Sequence, residues 1–171
     1  MKVLLAIFLL NSSCGATEPK EVVDKSNNRD AYANQVLAND TLKSLMLRVK
    51  SDNRIPYKLS LIQNTDGEKT FVVSVGNMAV KEISLPSQED INGFSFEDFG
   101  ETSKGFRISI EYGSRFYYNK VFYFDHSATG FILTRLEITE FDKREPSKER
   151  KSKKSLSQPL LRFRLIDFTE D

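Results

Sequence analysis

Cysteine and histidine each occur once in the 171 residues, at Cys14 and His126. Those two shortages exclude a good deal of chemistry. Disulfides cannot staple the fold, so a packed core must hold it. A closed zinc site takes about four Cys, His or carboxylate ligands, which the chain cannot assemble in the usual way. A Ser or Cys nucleophile needs a base within reach, and that base is usually His. His126 lies in Asp125-His126-Ser127, where neighbouring side chains on a strand connection diverge, so it reads as a solvated turn residue and not as part of a triad. The 8 glycines are scattered and none builds a phosphate-cradling loop. Acidic residues lack the spacing of a calcium loop. No repeat of 20–50 residues points to a solenoid or propeller. No catalytic, metal or cofactor residue is assigned on these grounds.

What is present begins at the N-terminus. Lys2 precedes an apolar run, residues 3–10, and small and polar residues follow: Asn11, Ser12, Ser13, Cys14, Gly15 and Ala16. This is the layout of a short export signal, too short to cross roughly 30 Å of hydrocarbon, which takes about 20 residues. It predicts a signal peptide over residues 1–16 and a periplasmic location. Two processing routes stay open. Cleavage after Ala16 would release a soluble protein, whereas lipidation of Cys14 would leave it anchored to the membrane. Asn11 stands where lipoprotein signals usually carry Leu or a similar residue. Residues 17–28 are polar, contain Pro19 and read as a flexible linker. Residues 29–171 read as a single domain.

Within it, Leu42, Leu45, Met46 and Val49 recur at i, i+3, i+4 and i+7, with Tyr32 and Val36 before them, which predicts one or two helices over residues 29–50. From Pro56 the period becomes two. Residues 57–62 and 69–75 predict a hairpin about Asp66-Gly67, residues 78–84 a further short strand, and residues 85–104 a loop with at most a short strand. Phe106, Ile108 and Ile110 alternate with Arg107, Ser109 and Glu111. Strands over residues 116–124 and 131–138 follow, and residues 160–168 read as a closing strand. The expected fold class is α+β: an N-terminal helix, or two, packed on a mainly antiparallel sheet of about six or seven strands.

Net charge is only +1, but its distribution is uneven. Between Glu82 and Glu101 stand six acids and no Lys or Arg, while residues 143–154, expected as a loop, carry seven basic and two acidic residues. A near-neutral, dipolar exported domain suits a steered protein contact better than nucleic acid. Candidate partner contacts are Asp90, Glu97 and Asp98 on one surface and Arg115, Tyr117 and Arg144 on another.

Over residues 105–138 the order of alternating strand, Tyr112-Gly113 turn, aromatic strand, short turn and Phe131-x-Leu133 strand resembles a pattern in small exported β-rich proteins of Gram-negative bacteria. Some of these are periplasmic immunity proteins or inhibitors. The resemblance implies a binding protein that blocks a secreted antibacterial effector enzyme by occlusion. The competing expectations are a structural or accessory envelope lipoprotein held through Cys14, and an uncharacterised hydrolase.

Overall fold

The computed structural model describes residues 40–48 and 56–169. Among these residues nine strands form two antiparallel meanders. The first sheet holds β1 (Asp40–Met46), β2 (Tyr57–Gln63), β3 (Lys69–Val75) and β4 (Met78–Ser84) in chain order. The second holds β5 (Ser95–Glu101), β6 (Gly105–Tyr112), β7 (Phe116–Ser127), β8 (Gly130–Asp142) and β9 (Arg150–Pro159), again in chain order. Sequential antiparallel pairing needs only short connections, and the turn residues supply them. Between β2 and β3, Asn64 Oδ1 accepts hydrogen bonds from the backbone N–H groups of Asp66 (3.0 Å) and Glu68 (2.9 Å). Between β6 and β7, Gly113 adopts φ +108°, and a Cβ there would run into the carbonyl oxygen of Phe116. Only glycine fits that turn without strain.

The alternation of apolar side chains along the strands builds one core from both sheets. Leu59, Phe71, Val73 and Ile83 come from the four-stranded sheet, and Phe99, Phe106, Ile108, Phe122, Phe124 and Leu133 from the five-stranded one. The Phe71 ring lies 5.2 Å from Phe99 and 6.1 Å from Phe106, and Tyr57 meets Phe131 at 4.8 Å. Each fully buried Phe or Leu contributes about 1.5–3 kcal/mol, which compensates for the absence of disulfide staples among these residues.

The two sheets are tied together by different means at different places. On one side Lys43 of β1 pairs with Asp98 of β5, and the Arg48 N–H donates to Glu101 Oε1 at 2.6 Å. On the other, two 3₁₀ turns, Leu160–Arg162 and Leu165–Phe168, lay Leu160, Phe163 and Leu165 against the core. Lys81 Nζ of β4 donates to the Leu161 carbonyl (3.2 Å), and the buried Lys120 donates to the Phe168 carbonyl (2.7 Å).

The α+β expectation is overturned. Residues 40–46, expected in the second half of an N-terminal helix, are the edge strand β1, and the fold is two antiparallel sheets of four and five strands instead of one sheet of six or seven. The helical spacing of Leu42, Leu45 and Met46 misled because two of its three members face water: Leu42 and Met46 are 48 % and 49 % exposed, while Leu45 and Leu47 pack inward at a period of two. Pairing with β2 outweighs local propensity. The rest of that stretch, residues 29–39 and 49–50, lies outside the described residues, as do Cys14, the signal and the linker. Residues 160–168 form two 3₁₀ turns joined by the extended pair Phe163-Arg164 and not a closing strand, and the basic run is a loop only as far as Glu149, with the edge strand β9 beginning at Arg150. The hairpin about Asp66-Gly67 and the consecutive strands from Gly105 onward stand where the alternation placed them.

Candidate functional site

Among the described residues, three groupings of polar or charged side chains differ in what they can do. The first is the end of the five-stranded sheet where β7 begins and β8 finishes. Antiparallel register sets Phe116 against Asp142 and Tyr117 against Phe141. Arg115, one residue before β7, directs both Nε (3.0 Å) and Nη2 (2.8 Å) to Asp142 Oδ2. The other carboxylate oxygen, Oδ1, accepts the Arg144 backbone N–H at 2.9 Å, and the Lys143 N–H donates to the Arg115 carbonyl at 3.0 Å. The Arg115 guanidinium holds the Asp142 carboxyl below its usual range, and the Arg144 N–H adds to that. Beside this clamp the Tyr117 and Phe141 rings lie 4.9 Å apart, Lys143 Nζ sits 5.1 Å from the Tyr117 ring centre, and Arg115 stacks over Phe116, which is 49 % exposed. The result is a pre-ordered patch of Arg, Lys and aromatic side chains at the tip of the sheet. Tyr and Arg are the residue types that dominate the centres of protein interfaces.

The second place is the outer face of the same sheet. Tyr123 donates its hydroxyl proton to Glu137 Oε2 (2.9 Å), Lys153 Nζ reaches Glu137 Oε1 (2.9 Å), and the Arg135 guanidinium lies 3.7 Å from the Tyr123 ring centre. Lys153 foremost holds the Glu137 carboxyl low, while burial, and then the neighbouring carboxylate, push the Tyr123 phenol up. These groups satisfy one another across β7, β8 and β9 and present no open position for a reacting atom.

The third is an open cleft of about 960 Å³ at the opposite end, lined by Arg48, Glu101, Thr102, Ser103, Lys104, Asp125 and His126. His126 is not a solvated turn residue. It stands in β7, half-buried, with its ring edge-on to Tyr57 (5.5 Å) and Phe131 (5.2 Å). Ser127 Oγ donates to the Gly130 carbonyl (2.7 Å), so the Asp125-His126-Ser127 sequence forms a strand end and not a relay. Glu101 already accepts the Arg48 N–H. Nine residues of β7 separate His126 from Tyr117, roughly 30 Å at about 3.3 Å per residue.

Of the sequence-selected contacts, Arg115, Tyr117 and Arg144 are brought together. Asp90, Glu97 and Asp98 are not one surface. Asp90 caps a local turn through the Ser87 N–H and hydroxyl, both at 2.8 Å, which lowers its pKa. Asp98 joins Lys43 to Arg107, and the bond from Lys43 chiefly lowers its pKa. Glu97 projects exposed from β5. Phe141 escaped sequence reading, because only the β7–β8 register carries it to Tyr117, while Phe116 and Lys143 were read as strand and basic-run residues and not as contacts.

Comparison with known proteins gives no matching family model, no significantly similar curated sequence and no significantly similar solved structure.

Proposed function

We propose that the chain is an exported partner-binding protein, an inhibitor or immunity protein that occludes the active site of an effector enzyme, and that it docks through the tip at Arg115, Tyr117 and Arg144. The observation that carries the reading is the clamp itself. Asp142 fixes Arg115 and the backbone at Arg144 before any partner arrives, which lowers the ordering cost of association, while Phe116 and Tyr117 supply apolar area beside cations. A standard interface buries about 1,600 Å² in total, and a few Tyr and Arg anchors near its centre are enough to dominate affinity.

Periplasmic export and anchoring belong to the same proposal. Cys14→Ser would move a lipoprotein from the membrane to the soluble fraction and leave a signal-cleaved protein unchanged. The partner itself is sought by using the mature protein as bait in envelope extracts. A stoichiometric protein partner captured by wild type and lost with Arg115→Glu supports the reading. Capture of none, together with a deletion strain fully resistant to its own kin, overturns it.

A further inference from the structure

The strand β9 has one hydrogen-bonding side in use, toward β8, from the pair Glu140–Arg150 to the pair Ile132–Pro159. Its other side has no strand beside it among the described residues. From Arg150 to Ser155 the side chains of both faces are exposed, although on β8 the neighbouring Leu136 is buried and Ile138 packs against the core. This part of the edge therefore overhangs the sandwich. At the other edges β1 and β5 are joined by the Lys43–Asp98 ion pair, and β4 touches the C-terminal turns through Lys81.

The overhang carries Arg150, Lys151, Lys153 and Lys154 within five residues and no acid. Lys153 is engaged by Glu137 (2.9 Å) and Lys151 by Glu149 (2.6 Å). Arg150 and Lys154 have no carboxylate partner among the described residues. A second copy of the chain pairing through β9 would set four cations against four, so the same residues that expose the edge reject self-association. An incoming strand of opposite sign meets no such penalty.

We infer that β9 accepts an extended acidic segment of the partner protein as a sixth strand of the five-stranded sheet. Main-chain hydrogen bonds to the open side of β9 provide the affinity, and carboxylates facing Arg150 and Lys154 provide the selection. This deepens the partner-binding reading and rests on it: the tip anchors the partner, and the edge takes a strand from it.

The test uses the mature protein and a labelled eight-residue probe alternating Glu with Val and Thr, followed by fluorescence anisotropy at low and physiological salt. Two further probes carry N-methyl groups on alternate residues, one set in each register, which removes the N–H donors of one edge and leaves every charge in place. The expected result is binding by the parent probe, loss of at least tenfold for one N-methylated probe and retention by the other. Arg150→Glu with Lys154→Glu should weaken the parent probe about tenfold, since each reversal exchanges an attraction for a repulsion. Equal binding of both N-methylated probes means charge attraction alone and overturns strand addition, as does absence of binding or equal binding of a Lys-for-Glu probe. The parent reading fails separately, by the envelope bait capturing no partner. A partner captured equally by wild type and by the Arg150/Lys154 variant removes the strand inference and leaves the tip standing.

Discussion

Phe163→Ala should remove a large part of the stability of the fold. Phe163 is fully buried although it lies between two 3₁₀ turns near the end of the described chain. Its ring meets Phe124 at 5.1 Å and Phe122 and Phe168 at 5.4 Å each. Truncation removes the ring from all three and leaves a cavity between β7 and the C-terminal turns. Buried Phe→Ala changes cost about 3–5 kcal/mol, and three aromatic partners keep this one from the low end of that range, at about 4 kcal/mol. Against a domain stability of about 5–15 kcal/mol, that is a large fraction. Urea unfolding followed by tyrosine fluorescence reads it directly: with a slope of about 1–3 kcal/mol per molar, the midpoint should fall by at least about 1.3 M, or the variant should fail to fold. Leu161→Ala, at a side chain 64 % exposed two residues away, is the control and should cost less than about 0.5 kcal/mol. A Phe163→Ala cost below about 1 kcal/mol would show that the C-terminal turns lie on the core without belonging to it.

Gly113→Ala should destabilise by about 2 kcal/mol or more, because φ +108° is strained for any L side chain and the added methyl meets the Phe116 carbonyl; Gly100→Ala, whose Cβ would lie 3.9 Å from Arg107 atoms, is the matched control for thermal melts. Acid should weaken the fold in a defined direction. Asp98 and Glu137 have native pKa values below their ordinary 3.8 and 4.5, so their contribution is complete above those ordinary values and is lost as pH falls through the lower native ones. With Asp98 exposed and Glu137 open to solvent in part, that contribution is roughly 0.5 kcal/mol each, and Asp98→Asn with Glu137→Gln should flatten the fall in stability between pH 5 and 3 measured by urea titration. Arg115→Ala should leave the urea midpoint nearly unchanged, since its exposed ion pair is worth little to folding, while weakening partner binding at least tenfold by calorimetry; a parallel loss of stability would recast Arg115 as a structural residue.

The hydrophobic alternation from Tyr57 onward was enough to place β2, β3, β6, β7 and β8, because in those strands apolar residues on one face feed the core, while β4, with only Ile83 buried, was placed by its position between the β3 hairpin and Pro86. It failed where that condition fails. β1 is an edge strand with outward Leu42 and Met46, so its apolar residues no longer report which side faces the core. β9 is exposed on both faces through Ser155 and has no apolar pattern there to detect. Conversely, Leu161, Phe163 and Leu165 alternate as a strand would, yet Phe163 reaches the core from between two 3₁₀ turns and Leu165 from the second of them. At the site, Arg115, Tyr117 and Arg144 were legible as charge and aromaticity, but their convergence depends on a register between positions far apart in sequence. The acidic group dissolved for the same reason: Asp98 faces Lys43 across the two sheets, a contact that no local pattern encodes.

The claim that function resides at the cationic and aromatic tip is tested most directly by hydrogen exchange read by mass spectrometry on the mature protein, alone and with its captured partner. Slowed exchange in peptides covering residues 114–118 and 140–145, with no change around the His126 cleft, is the result expected. Slowed exchange at residues 101–104 and 125–127, with the tip unaltered, would place the functional surface at the other end of the sheet and contradict the account.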